Sequence, residues 1–384
     1  MRFKPAKIFK QAVEPAPPPP AANARAPPPR HITSIAFDDR GECLVTAAED
    51  ETFRVYNAKT GKFKTTLNSK KYGVDLIRFT HRSTNLIHSS TKEDEALRYH
   101  SWHDNKYITY YRGHTKRVIS LDMSPVDDSF VSGSLDHTVR IWDLRSPNAR
   151  GLLNVPGDPI VAYDNLGIVL AVGVPQYSRI LLYDKATFDK EPFLTITLHD
   201  PTLERISFPP RIPLMTSLNF STDGKWLLVG TSSDVHYLVD AFDGKLLARL
   251  EGHTGLERGK GAGGAPGVVP VRGISGEELT WSPDSHYVVS GSHDGRIIIW
   301  DIGAWAPQLI DRCKQINLDN PATAAIAPLV IKPLVAHNGH PGPSRCVKFN
   351  PRFAMLASAG TELSMWLPDL ANETDKDGDI KMKG

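Results

Sequence analysis

His114, Ser132 and Asp136 are the residue types of a nucleophilic hydrolase: an imidazole to take a hydroxyl proton, a serine to attack and a carboxylate to orient the ring. The set recurs. His253, Ser290 and Asp294 repeat it later in the chain, and each set is followed by a tryptophan and an aspartate, Trp142-Asp143 and Trp300-Asp301. A hydrolase needs its triad once, so a constellation that returns with its surroundings is read as architecture. His114, Ser132, Asp136 and Trp142, and likewise His253, Ser290, Asp294 and Trp300, are expected to join in buried hydrogen-bond networks, because an unpaired buried polar group costs about 1–3 kcal/mol. No HExxH, GxSxG or ligand-spaced His/Cys cluster accompanies them. The expectation is no catalytic residue, no cofactor and no metal site. Cys43, Cys313 and Cys346 are odd in number and far apart, which fits buried thiols better than disulfides or zinc ligands. The glycine-rich run at 255–267 lacks the Gly-Lys-Ser/Thr ending of a phosphate-binding loop and reads as an insertion.

The elements that must position these residues repeat with them. Residues 113–143 carry a Gly-His opening, a Ser-Pro turn, a Ser-Gly-Ser-x-Asp turn and a Trp-Asp ending, and 252–301 is an interrupted second copy. Between the turns lie short alternating apolar runs, the pattern of five-residue strands. Five weaker copies are anchored on the large residue that ends each innermost strand, giving Phe37, Phe79, Met123, Tyr163, Phe220, Trp281 and Phe349 in all. The first four anchors are 40–44 residues apart, the length of a four-stranded blade. The fold class is therefore all-β: a seven-bladed WD40 β-propeller spanning residues 31–370. The last copy lacks an outer strand, and the segment Ala6 to Val13, within an N-terminal clasp at 1–14, is expected to supply it and close the ring.

The remaining segments are a proline-rich linker at 15–30, insertions at 255–278 and 303–343, the second with one helical turn, and a disordered charged tail at 371–384. With 45 basic and 43 acidic groups the net charge is +2, so no global field draws the chain onto a polyanion, and no sequence-specific nucleic-acid binding is expected. No stretch approaches the roughly 18–20 apolar residues of a membrane span, and the N-terminus has no secretory h-region, so the protein is expected to stay inside the cell.

Several segments resemble one family closely: SKKYGVDLIRF (69–79), HDNKYI (103–108), GHTKRV (113–118), MSPVDD (123–128), SGSLDHTVRIWDLRSPN (132–148) and MWLP (365–368) are similar to the WD-repeat protein 82 family. The resemblance is densest over blades 2 and 3 and departs at the proline-rich segment and both insertions. It implies a non-enzymatic adaptor in the nucleus: the WD-repeat subunit of COMPASS-type histone methyltransferase complexes. The implied partners are the N-terminal region of a SET-domain methyltransferase, other COMPASS subunits, a phosphatase-containing termination module of the cleavage and polyadenylation machinery, and the phosphorylated tail of RNA polymerase II. A ubiquitin-ligase substrate receptor and a propeller enzyme are the competing classes.

A propeller meets partners on its top rim, made of the loops that lead into each innermost strand and those joining the second and third strands. On blades 2 and 3 this rim should carry Lys70, Lys71, Tyr72, Lys116 and Arg117, with Glu93, Asp94 and His137 nearby. A tyrosine among basic groups suits an acidic or phosphorylated peptide, since charge-assisted bonds fix the anion and the ring adds apolar area. A solvated rim of ordinary lysines is the alternative.

Overall fold

The computed structural model describes residues 3–15, 29–204, 213–255, 278–318, 320, 323 and 326–369. Most of the proline-rich linker, most of the glycine-rich insertion and the charged tail lie outside these residues. The strands form seven sheets. Blade 3 shows the plan: Val118–Met123, Ser129–Ser134, Thr138–Asp143 and Ser146–Asn154 pair antiparallel from the axis outward. All seven anchors end innermost strands, from Phe37 of Ile32–Phe37 to Phe349 of Cys346–Phe349. The second strands use small and β-branched residues, as in SFVSGS and CLVTAA, because they are buried on both faces.

Each core cluster straddles a junction between two blades. Phe130 and Trp142 of blade 3 pack with Ile87, Leu97 and Tyr111 of blade 2, whereas Val131, Val139 and Ile141 pack with Val161, Leu170 and Val172 of blade 4. Successive residues of one strand thus serve opposite neighbours, the period-two rule applied to a sheet buried on both sides. On the bottom face, turns joining first to second strands add polar ties between blades: Asn350 Nδ2 donates to the Gly41 carbonyl (2.8 Å), His81 bridges Asp39 Oδ2 (2.8 Å) and the Asp127 carbonyl (3.1 Å), and Asp223 N donates to Ser285 Oγ (3.0 Å).

The N-terminal strand closes the ring, in a position shifted from the expected one. It runs Phe3–Phe9 instead of Ala6 to Val13 and pairs antiparallel with Leu363–Pro368. Pro5 is tolerated because this is an outer strand with a register shift between Pro5 and Lys7, and Phe3 is the residue that gains most from burial. Its ring meets Phe349 edge-on at 5.8 Å and joins a cluster with Val289 and Trp366. Past the strand, Ala12 is buried and Glu14 N donates to Asp50 Oδ2 (2.8 Å), tying the same segment to blade 1.

The insertion between the third and fourth strands of blade 6 is more structured than a single helical turn. It forms the helix Ala306–Gln315, with Pro307 in its first turn, where a missing N–H costs nothing. Leu309 and Ile316 pack into the core shared by blades 5 and 6. Leu329–Ile331 then adds a fifth strand, parallel to the outer strand Leu246–Glu251 of blade 5, before Val335–Asn338 completes blade 6.

Phe3→Ala is expected to destabilise the ring by about 3 kcal/mol, the cost of removing a buried phenyl ring, whereas Lys7→Ala on the exposed face of the same strand should change stability by less than about 0.5 kcal/mol. Equal denaturant midpoints for the two variants would show that the clasp does not hold the last blade.

Candidate docking surface on blades 2 and 3

Of the two networks expected from the sequence, the structure brings one together. In blade 3, His114 Nε2 meets Ser132 Oγ at 2.8 Å, Trp142 Nε1 donates to the same oxygen at 2.8 Å, and His114 Nδ1 meets Asp136 Oδ2 at 3.0 Å. Asp136 also accepts from Thr115 N and from the Thr138 hydroxyl (2.9 and 2.6 Å). Burial works against its charge, but these donors outweigh burial and hold its carboxyl down at about 2. Both ring nitrogens of His114 are engaged within the network.

In blade 6, by contrast, His253, Ser290, Asp294 and Trp300 do not bond to one another. His253 Nε2 instead meets the Ser233 carbonyl at 2.9 Å, Trp300 Nε1 donates to the Glu251 carbonyl at 2.9 Å, and Asp294 bonds Arg296 of its own turn. His236 of blade 5 takes the partner's place: it stacks on His253 at 3.9 Å between ring centroids and meets Ser290 Oγ at 3.1 Å. The physical reason is that His253 lies 26 residues before the innermost strand Leu279–Trp281, against 4 between His114 and Val118, and that His236 already occupies Ser290 Oγ.

A third network was missed in the sequence. His340 Nε2 meets Ser358 Oγ at 2.7 Å and Trp366 Nε1 donates to that oxygen at 2.8 Å, so blade 7 keeps the His-Ser-Trp part although Gly360-Thr361 replaces the aspartate turn. The signal was present: His340 precedes Ser358 by the same 18 residues that separate His114 from Ser132.

Blade 2 has a different device at the same place, and it underlies the candidate surface. His88 stands where blade 3 has Ser132 and His100 where it has Trp142, both buried. The turn is held instead by Arg98, a fully buried arginine whose guanidinium donates to Asp94 Oδ1 (2.7 Å) and lies 3.7 Å from the centroid of the Tyr72 ring. Tyr110 receives the same guanidinium at 5.4 Å and Arg112 at 5.6 Å, while Lys71 Nζ lies 5.0 Å from Tyr72 on the rim. Lys71, Tyr72, Arg98, Tyr110 and Arg112 therefore alternate as cation and ring, with Tyr107 edge-on to Tyr72 (5.7 Å) and stacked on His100 (4.5 Å) beneath them. Such contacts contribute about 0.5–2 kcal/mol each, most where the cation is desolvated as Arg98 is.

The five expected rim residues fall into three kinds. Lys70, Lys71 and Lys116 are exposed. Tyr72 is half-buried and occupied by Arg98, so its ring is a supporting part of the blade as well as surface. Arg117 is not a free cation: its guanidinium pairs with the Asp75 carboxylate of blade 2, a link between two blades. Arg112, on the outer side of Tyr110 and 3.9 Å from Asp94 Oδ2, is an exposed cation that motif reading did not single out. Of the acids expected nearby, Glu93 holds a left-handed turn (φ 66°) and Asp94 anchors Arg98.

Residues of the innermost strands line an axial channel. Asp122 lines it beside Arg78 and Lys348, and accepts from Tyr163 N (2.9 Å) and Met123 N (3.1 Å), linking blades 3 and 4. One group has metal-ligand spacing among the described residues, Asp240, Asp243 and Cys313. Lys245 Nζ lies 2.7 Å from Asp243 Oδ2, the Cys313 thiol points to Asp240, and burial together with the Asp240 carboxylate raises that thiol's pKa, which favours the protonated thiol. Cys313 is partly exposed, unlike the buried Cys43 and Cys346.

Two outcomes follow. Asp136→Ala should cost about 1–3 kcal/mol because it leaves His114 and three further donors, Thr115 N, Thr138 N and the Thr138 hydroxyl, unmatched, while Asp294→Ala, which breaks only a surface turn, should cost less than about 0.5 kcal/mol; comparable losses would mean that the blade 3 network does not pin its blade. Burial holds His31, His100, His253 and His340 at about 4 and His88 at about 3, below the ordinary value of about 6.5. The unfolded chain then binds more protons, so this stability is complete above about pH 6.5 and is lost as the pH falls toward 4. Thermal melting at stepped pH checks it: a melting temperature flat from pH 7 to 4.5 would contradict the buried neutral imidazoles.

Comparison with known proteins places this geometry. The model of the WD domain, G-beta repeat, matches residues 28–57, 105–143 and 269–301. The chain is 42% identical to WD repeat-containing protein 82 of Drosophila melanogaster over 95% of its own length and 94% of the relative's. It is 36% identical to Set1 complex component swd2 of Schizosaccharomyces pombe (87% and 92% covered) and 31% identical to COMPASS component SWD2 of Saccharomyces cerevisiae (88% and 91%). The fold and these relatives point to a non-catalytic subunit. With 42% identity over 95% of its length, the chain belongs to the WD repeat-containing protein 82 family, and its relatives include a Set1 complex component and a COMPASS component.

Proposed function

We propose that this chain is a nuclear scaffold subunit of a Set1/COMPASS-type histone H3 methyltransferase complex, and that it holds the SET-domain methyltransferase's N-terminal region through the top rim of blades 2 and 3. The observation that carries the reading is the near full-length likeness to a Set1 complex component and a COMPASS component. The rim supports the choice of surface: Lys70, Lys71, Arg112 and Lys116 present charge around the half-buried rings of Tyr72 and Tyr110, an arrangement that recognises an acidic or phosphorylated segment. The same chemistry suits the phosphorylated tail of RNA polymerase II and an acidic segment of the phosphatase-containing termination module, so one rim would serve alternative assemblies in turn. In this reading the protein contributes position and no reaction step.

Lys70→Glu/Lys71→Glu/Lys116→Glu reverses the local charge without touching the Arg117–Asp75 or Arg98–Asp94 pairs, so the variant should melt within about 0.5 kcal/mol of the parent. Native purification followed by mass spectrometry should recover the methyltransferase with the parent and much less of it with the variant, and recovery by the parent should fall as salt rises, because exposed charges act through screened attraction. Tyr72→Ala is a poorer probe, since it also removes the ring over buried Arg98. Full recovery of the methyltransferase by the triple variant would move the docking face elsewhere, first to the opposite rim at His103, Asp104 and Asn105; absence of any methyltransferase from the parent's partners would sink the assignment itself.

A further inference from the structure

The most exposed large apolar side chains are concentrated at one place. Val126, Leu166, Ile168, Phe193 and Phe242 are 67, 68, 55, 59 and 74% exposed, the five highest values among the large apolar side chains of the described residues. All five lie in turns that join first to second or third to fourth strands, in the consecutive blades 3, 4 and 5. Antiparallel pairing puts those turns on the bottom face, opposite the rim discussed above. They are neighbours: a Cβ at Gly167 would lie 3.3 Å from Val126 Cγ2, Lys185 N donates to the Ile168 carbonyl (2.8 Å) while its Nζ reaches Asp127 (2.7 Å), and a Cβ at Gly244 would lie 3.5 Å from Leu194 Cδ2, the residue after Phe193. Isolated exposed apolar residues need no explanation, but a contiguous set of this exposure marks a contact surface.

The charge around the set says what covers it. The turns at 124–128, 164–168, 184–193 and 241–245 contain seven carboxylates and three lysines. Lys185 and Lys245 are already bonded to Asp127 and Asp243, whereas Asp128, Asp184, Asp189 and Glu191 are exposed. Arg145, close enough to sense Asp127 and Asp128, is itself held on Asp143. We infer that the bottom face of blades 3 to 5 docks a basic amphipathic segment of a partner protein, its apolar side chains seated on Val126, Leu166, Ile168, Phe193 and Phe242 and its lysines or arginines facing the surrounding carboxylates. This partner chemistry is the reverse of that of the top rim, so the two faces can be occupied together.

The full-length chain and three labelled 14-residue peptides, alternating Leu-Lys, Leu-Glu and Ser-Lys, test the inference by fluorescence anisotropy. Only Leu-Lys should bind well, with hydrogen-exchange protection in the four bottom turns. Val126→Ser/Leu166→Ser/Phe193→Ser/Phe242→Ser should weaken it about tenfold or more, the loss expected when central apolar anchors are removed, at an unchanged melting temperature. The triple rim variant described above should bind Leu-Lys like the parent, which separates this face from the proposed function of the other. Equal binding of Leu-Glu would show bare apolar adhesion, equal binding of Ser-Lys charge alone, and undiminished binding by the quadruple variant a different site; each overturns the inference. So would concentration-dependent dimerisation of the parent that the quadruple variant abolishes, since the occupant would then be a second copy.

Discussion

A four-stranded blade has two apolar faces, and in this ring each is covered by the adjoining blade: Phe130 and Val131, consecutive in one strand, complete cores on opposite sides of blade 3. No unit can therefore be stable by itself, and the ring is stable only when closed. Closure falls to the least regular parts of the chain. Phe3 fills the core between blades 6 and 7, while Ala12 sits in that between blades 7 and 1, so the segment at 3–15 serves two junctions beyond its own strand pairing. The polar networks come second in this order. They fix turns whose positions the cores have already determined, which is why blade 6 can lose its set and keep its strands.

Much of this was legible because the repeat acts as its own alignment. A large residue ending an innermost strand, a turn and a small-residue strand identify a blade even where no Gly-His or Trp-Asp survives, as in blade 4 with Tyr163 and LAVGV. What failed were inferences that carried a hydrogen bond along with a motif. Spacing reports the blade, but a side-chain bond also needs the loop to place the histidine over it; His340 does so without an aspartate turn, and His253 does not despite having one. The clasp strand begins three residues before Ala6 and runs through Pro5, because an outer strand has one edge with no ladder bond to lose.

The rim shows the same limit in reverse. Sequence reading placed Tyr72 among lysines, yet could not see that its ring is held by Arg98, 26 residues later, or that Arg117 is engaged with Asp75 across a blade junction. Both contacts are long-range consequences of closing a propeller. Basic residues near one another in sequence thus divide into exposed charges that a partner can use and paired charges that the fold uses.

Blade 2 connects these roles. By giving up serine and tryptophan for His88 and His100, it loses the compact network of blade 3 and must satisfy its aspartate turn another way. Arg98 does this, but a buried guanidinium has more donor directions and a larger planar surface than an imidazole, and it needs aromatic cover; Tyr72 and Tyr110 supply it. Those rings reach the rim, where their outer faces meet Lys71 and Arg112. The structural repair of one turn therefore creates a rigid, charged aromatic surface on the rim of blade 2. Rigidity matters for recognition because side chains already ordered by the fold lose little entropy when a partner arrives.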